Sequence, residues 1–309
     1  MDKGVGARLC LVAVLVTTVL FLAGCGGAEG EERSYIEAQG SDTMVNMGQS
    51  LAEYYMDEVN PEATISISGG GSGTGIAAII NDEVDIAQSS RSMTAEEIED
   101  AQSGGVEVYE FIVGQDGIAV TVHENNPLEE LSIPELKQIF TGEVKNWSQF
   151  GWEEGGKISL YSRQSSSGTY VFFNEAVMDG EDFYEEAHFM PGTSAIADGI
   201  EGDKNGIGYV GVGYVRDGIK ALELSLEEEG TYVTPLDAEN INTGEYPLAR
   251  PLFFYTNGAP EGELLEYLNW VLSEEGQQAL EEAGFYQITP EQEEINQDTF
   301  QEAGVNSNS

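Results

Sequence analysis

Three short runs of serine, threonine and glycine stand out for what they could bind: Gly40-Ser41-Asp42-Thr43, Gly69-Gly70-Gly71-Ser72-Gly73-Thr74-Gly75 and Arg163-Gln164-Ser165-Ser166-Ser167-Gly168-Thr169. Each sits where a helix should begin. A helix start offers N–H groups without intrahelical partners and a partial positive charge, and both suit an anion. Hydroxyl side chains there either cap the helix or turn to a ligand. One such run is an ordinary cap, and Asp42 and Thr43 are good caps in their own right. Three in one chain, the third led by Arg163, point to a site that wraps a small tetrahedral oxyanion. A guanidinium grips two oxyanion oxygens at once, while hydroxyls and N–H groups take the others. Ser89-Ser90-Arg91 would add a further wall of hydroxyls and a second cation.

Other chemistries have weaker footholds. The glycine-rich run lacks the Gly-Lys-Ser/Thr ending of a nucleotide-binding loop. It also lacks the Gly-x-Ser-x-Gly spacing of a nucleophile elbow, because position 74 is Thr. Gly206-Ile207-Gly208-Tyr209-Val210-Gly211 fits Gly-x-Gly-x-x-Gly, but the residues after it look extended where a dinucleotide site needs a helix, so it reads as turns between strands. The two histidines, His123 and His188, are far apart and lack a metal-ligand pattern, and no Ser-His-Asp order stands out. No catalytic residue, metal or cofactor is therefore expected.

The elements that must position the three runs alternate between strand and helix, the α/β signature. Strands are expected at 35–39, 64–68, 84–88, 106–113, 117–122, 158–161, 207–210 and 251–255. Helices are expected at 45–59, after the glycine-rich turn through Ile80, from a Thr94 cap to about 101, and at 133–140, 169–178, 262–272 and 276–283. The last twenty residues are polar and should fray.

The chain has 309 residues and a formal net charge of −44, with 56 acidic residues against 12 basic ones. Nucleic acid is excluded as a partner, since a phosphate backbone needs a basic surface. Acid is dispersed along the chain rather than gathered in a tail. Such a surface repels itself in dilute salt and is screened in molar salt, as in a halophile's protein. At the start, Lys3 and Arg8 precede an apolar run from Leu9 to Leu22, ending in Leu22-Ala23-Gly24-Cys25. That pattern resembles a bacterial lipobox, which implies a signal peptide over 1–24, lipidation of Cys25, and a short acidic tether over 25–33. The only other cysteine is Cys10, so disulfides are not expected.

Taken in order, these features resemble the substrate-binding lipoproteins of phosphate ABC importers. The resemblance runs through most of the chain. It rests on the Gly-Ser-Asp-Thr start, the glycine-rich turn, Asp85-Ile86-Ala87-Gln88-Ser89-Ser90-Arg91, Arg163 with Ser167-Gly168-Thr169, Ile207-Gly208-Tyr209-Val210-Gly211, and the late run Trp270-Val271-Leu272-Ser273-Glu274-Glu275-Gly276-Gln277. It implies a two-lobed periplasmic-binding-protein fold of type II, with the ligand cleft between the lobes. Lobe 1 would span 34–117 plus 250–309, and lobe 2 would span 118–249. It also implies an extracytoplasmic, lipid-anchored monomer that hands inorganic phosphate to the membrane subunits of an ABC permease. The implied phosphate-binding residues are Ser41, Asp42, Thr43, Ser72, Gly73, Thr74, Ser90, Arg91, Arg163, Ser167, Gly168 and Thr169. Some family members place an Asp, the acceptor for the proton on phosphate, where this chain has Ser90. Asp42, the only acid inside the three runs, is the candidate substitute, and Arg91 could alternatively replace that charge logic. Another oxyanion such as sulfate, molybdate or tungstate would also fit a hydroxyl-rich site. A sensor or surface protein of the same fold, and a secreted phosphatase, are further alternatives, although no activated nucleophile or metal cluster supports the last.

Overall fold

The computed structural model describes residues 35–305. The expected signal peptide, lipidation site and tether, residue 34 and residues 306–309 lie outside the described residues.

The first part of the chain alternates as its patterning requires: β1 (Tyr35–Gly40), α1 (Val45–Tyr54), β2 (Thr64–Ser68), α2 (Ser72–Ile80), β3 (Ile86–Ser89) and α3 (Ala95–Gly104). The long β4 (Val108–His123) follows, then β5 (Glu130–Ser132), α4 (Ile133–Phe140), β6 (Ser159–Arg163), α5 (Gly168–Met178), β7 (His188–Met190), α6 (Thr193–Glu201) and β8 (Gly206–Gly211). Next come β9 (Ile219–Ala221), β10 (Glu223–Ser225) and the short α7 (Ala238–Asn242). After β11 (Ala249–Asn257) the chain ends in α8 (Gly262–Val271), α9 (Glu274–Glu282) and α10 (Pro290–Glu302). Helix starts follow local chemistry. Thr94 with Glu97, and Ser132 with Glu135, each form a reciprocal capping box.

The main sheet runs β2-β1-β3-β11-β4-β8-β6-β7, with β9 on β4. β1 pairs in parallel with β2 and β3, and β6 pairs in parallel with β8 and β7. The antiparallel strands β11 and β4 lie between these groups. β4 pairs with β11 from Val108 to Gly117, and with β8 from Ile118 to Val122. The runs 106–113 and 117–122, expected as separate strands, are thus one strand. Gly114-Gln115-Asp116-Gly117 stays extended because Leu252 to Ala249 of β11 pairs across it. The strand expected at 207–210 is β8, which takes in the flanking Gly206 and Gly211 as well and is fully buried.

One apolar cluster packs α1, α8 and α9 on β1, β3 and β11, and reaches α6 through Ile196 and Ile200. A second gathers Leu136, Phe140, Phe173, Trp147 and Tyr209 over β6, β8 and the second half of β4. A third joins Ile76 and Ile79 of α2 to Phe253 and Tyr255. The mixed α/β architecture is the fold that the patterning implied.

The expected frayed tail is instead α10. β8 pairs with β4 only from Ile118 onward, so the edge of β4 away from β11 has no strand partner around Ile112 and Val113. Asn296 of α10 accepts from Ile112 N at 2.8 Å and donates to Ile112 O at 2.7 Å, while Gln277 donates to Val113 O at 3.0 Å. A Thr289 cap and Pro290 start the helix, and Phe300 is buried against Phe111. A mostly polar helix therefore docks through two buried residues, Asn296 and Phe300.

Candidate functional site

The three runs meet. The turn after β1 delivers Ser41, Asp42 and Thr43. Their side chains do not cap α1: its N-cap is Met44, which makes no side-chain cap bond. The hydroxyls are thereby left for the interior. Ser41 Oγ donates to Ser90 Oγ at 2.9 Å, Ser72 and Ser90 hydroxyls lie 3.4 Å apart, and Ser90 N donates to Ser72 Oγ at 3.1 Å. Thr43 Oγ1 lies 2.7 Å from Thr169 Oγ1 and 3.4 Å from Thr193 Oγ1. Ser41, Thr43, Ser72, Ser90, Thr169 and Thr193 are each no more than 2% exposed.

Two glycines make this convergence possible. Gly71 caps α2 at φ +97°, and a Cβ there would lie 2.6 Å from Ser166 O. This closeness lets Gly73 N donate to Ser166 O at 3.0 Å, joining the glycine-rich turn to the third run. Gly168 opens α5, and a Cβ on it would lie 2.4 Å from Ser72 Oγ and 2.9 Å from Ser90 Oγ. Ser167 caps the helix, its Oγ accepting from Tyr170 N at 3.4 Å and its carbonyl from Val171 N at 3.1 Å. The first N–H groups of α5, on Gly168 and Thr169, are the donors such a helix start offers. Gly168→Ala should put a methyl group where the hydroxyls converge. Anion affinity should fall at least about tenfold, and the ligand-free unfolding midpoint should fall too, because crowding a packed interior costs roughly 1–3 kcal/mol; calorimetric titration and thermal unfolding check both halves.

Arg163 ends β6 and is 1% exposed. Nη1 donates to Thr193 Oγ1 at 2.8 Å, and Nη2 donates to Asp42 Oδ2 at 2.5 Å and to Pro191 O at 3.3 Å. Its Nε is buried with no protein acceptor. A buried guanidinium N–H left open beside a ring of hydroxyls is a ready donor to an oxyanion. Tyr209 OH, beside Ser162 Oγ, accepts from Arg163 N at 3.3 Å. Burial pushes the Tyr209 hydroxyl far up, so it stays neutral. Tyr214 donates to Asp42 O at 2.7 Å and is pushed up to about 12, chiefly by burial.

Three of the expected binding residues have partners within the protein. Asp42 already has partners for both carboxylate oxygens, Oδ2 taking Arg163 and Oδ1 accepting from Gly70 N at 3.1 Å. Thr74 is exposed and turns back to donate to Gly70 O at 2.8 Å. Arg91 does not reach the hydroxyls: Nη1 and Nη2 clasp Glu97 at 2.7 Å each. Burial alone would raise the Glu97 carboxyl, but Arg91 and Thr94 outweigh it and hold it below its ordinary range.

Sequence reasoning missed a second buried cation. Arg250 of β11, 2% exposed, donates through Nε and Nη2 to Asp116 Oδ2 of β4 at 3.1 and 2.7 Å. It also donates to Ser90 O at 2.9 Å and to Thr169 Oγ1 at 3.1 Å. Burial pushes Asp116 up and Arg250 down, and each charge opposes the shift of the other. The signal was available: Arg250 is one of only 12 basic residues, at the head of the apolar run Pro251-Leu252-Phe253-Phe254-Tyr255. Each buried arginine of the site thus has its own carboxylate partner. A separate cavity of about 680 Å³ under α3, lined by Met93, Ile98, Val106 and Tyr255, carries none of these groups.

Residues 27–275 match the family model described as a PBP superfamily domain. The chain is 32% identical over 291 residues to the phosphate-binding protein PstS of Staphylococcus epidermidis, covering 90% of this chain and 88% of that one. It is 33% identical over 300 residues to PstS of Staphylococcus haemolyticus, covering 92% and 93%. Among solved structures, it is similar to a Clostridium perfringens substrate-binding protein that is assigned to a phosphate ABC transporter and holds bound phosphate. There the TM-score is 0.73 at 26% identity, over 83% of this chain and 100% of the other. An ABC-type phosphate transport receptor from Vibrio cholerae aligns with a TM-score of 0.64 at 26% identity, over 82% and 100%. From its sequence and its fold alike, the chain belongs to the PBP superfamily and, within it, to the family of the PstS phosphate-binding proteins.

Proposed function

We propose that this chain binds inorganic phosphate outside the cytoplasm and delivers it to an ABC-type permease, without chemical change to the ligand. The observation that carries this reading is the open Nε of buried Arg163 within a closed set of hydroxyls and the start of α5. The relatives named above are phosphate-binding proteins, which supports the same ligand. The binding residues are Ser41, Thr43, Ser72 and Ser90 from one side, and Arg163, Ser167, Gly168 and Thr169 from the other; Gly73, whose N–H goes to Ser166 O, ties the two sides together. Asp42 orients Arg163. The lobes are 34–117 plus 250–309 and 118–249, with β4 and β11 running at their junction and the anion held between them. Lipidation at Cys25 would tether the protein to a membrane surface; among the described residues no helix is long and apolar enough to cross one.

With both arginines paired, the site meets the anion through directed hydrogen bonds rather than net charge. Each hydrogen bond to a charged ligand contributes roughly 1.5–3 kcal/mol. The proton on phosphate falls to a hydroxyl oxygen, since Ser and Thr can accept as well as donate. Asp42→Asn should therefore weaken phosphate and sulfate alike by about tenfold and leave their ratio within about twofold. A collapse of the ratio alone would return Asp42 to the role of proton acceptor.

The experiment is calorimetric titration of the purified chain with phosphate in about 2 M NaCl, where exposed charges are screened within about 3 Å, with sulfate as competitor. One-to-one phosphate binding that sulfate does not displace is the expected result. Displacement by sulfate, molybdate or tungstate would move the function to another oxyanion.

A further inference from the structure

Asp116 and Arg250 face each other as register partners in the β4–β11 pairing. They sit at the end of that pairing, just before β4 passes to β8 at Ile118. From this point the Arg250 guanidinium reaches groups on both sides of the hydroxyl cluster: the Ser90 carbonyl at 2.9 Å and Thr169 Oγ1 at 3.1 Å. Its face lies over the Phe172 ring, 5.6 Å from the centroid. Asp116 is anchored in turn, its Oδ1 accepting from Val212 N at 3.0 Å.

We propose that Arg250, held by Asp116, is a positioning residue of the anion site that acts through the Thr169 hydroxyl; this rests on the phosphate-binding reading above. An arginine can only donate. By filling one lone pair of Thr169 Oγ1, Arg250 excludes that direction for the hydroxyl proton. The proton then points either to Thr43 Oγ1, 2.7 Å away, or to the anion. A cation on the oxygen also strengthens that O–H as a donor. The bond to Ser90 O fixes the peptide that carries the Ser90 hydroxyl, so one side chain sets donors from two separate runs. Asp116 cancels the charge, so Arg250 contributes direction rather than net attraction.

The test is a cycle of Thr169→Val against removal of the pair, read as phosphate affinity by calorimetry. Asp116→Leu with Arg250→Met replaces two buried charges with apolar groups of similar volume, a change that folds tolerate. Ligand-free thermal unfolding confirms that each variant is folded. Thr169→Val is expected to weaken phosphate binding about tenfold in the wild-type background and no more than about twofold once the pair is gone. Arg250→Lys keeps a cation beside Asp116 but cannot span Ser90 and Thr169 together. It should reproduce the same loss of coupling, and it carries the test if the apolar pair does not fold. Equal losses from Thr169→Val in all backgrounds, or wild-type affinity without the pair, would overturn the positioning role while leaving phosphate binding intact. A wild-type chain that binds no tetrahedral oxyanion would overturn both.

Discussion

Arg163→Met should reduce phosphate affinity by up to about a hundredfold, because the charge-assisted hydrogen bond from its open Nε, at roughly 1.5–3 kcal/mol, is lost. No other group can take over. Arg250 is committed to Asp116, Ser90 and Thr169, and Arg91 is committed to Glu97. Part of the loss in the single variant comes from Asp42, left without its cation. Its side chain is 18% exposed and can rehydrate, so the fold should survive. Adding Asp42→Asn to Arg163→Met separates the two contributions. If the loss is a loss of ligand contacts, the double variant binds as weakly as the single one. If it were repulsion by the freed carboxylate, most of the affinity would return. Calorimetric titration of the two variants side by side decides between them.

Asp116→Leu alone should be among the most damaging single changes to stability. It leaves Arg250 charged at 2% exposure with no carboxylate, and it frees the Val212 N–H that Asp116 accepts. Breaking a buried pair from one side costs about 3–5 kcal/mol, which for a chain of this size lowers the unfolding temperature by roughly 10 °C. Removing Arg250 in the same molecule should recover most of that loss. The recovery is the informative part: a charge stranded by its partner's removal accounts for it, whereas a packing defect at position 116 would persist. Scanning calorimetry of the single and double variants, in high salt to screen the acidic surface, measures both numbers.

Chemistry that is local in sequence was legible. The three hydroxyl runs could be read because a helix start and its donors occupy a handful of consecutive residues. The strands and helices around them could be read because their apolar spacing is strong. Arg91 was misread for a local reason as well: Glu97, six residues on, is the N3 residue of the Thr94 capping box and takes the guanidinium. Asp116 and Arg250 were not legible as a pair. They are 134 residues apart, and only the register of β4 on β11 makes them neighbours. The open edge of β4 that α10 covers is likewise set by strand pairing, since β8 reaches β4 only from Ile118 onward. Asn296 therefore carries no sign in the sequence that it stands in for a strand, and a helix polar on most faces was read as a frayed end.

The hydroxyls of the cluster are all buried, and this sets a clock. An anion held there can exchange with water only after the contacts that span the site, Thr43 to Thr169 and Asp42 to Arg163, have parted. Its residence time is then the waiting time for a mechanical opening, not the lifetime of any one bond to the ligand. Two variants of equal affinity could differ widely in turnover. A membrane partner that prises the faces apart would speed release without competing for the phosphate at all.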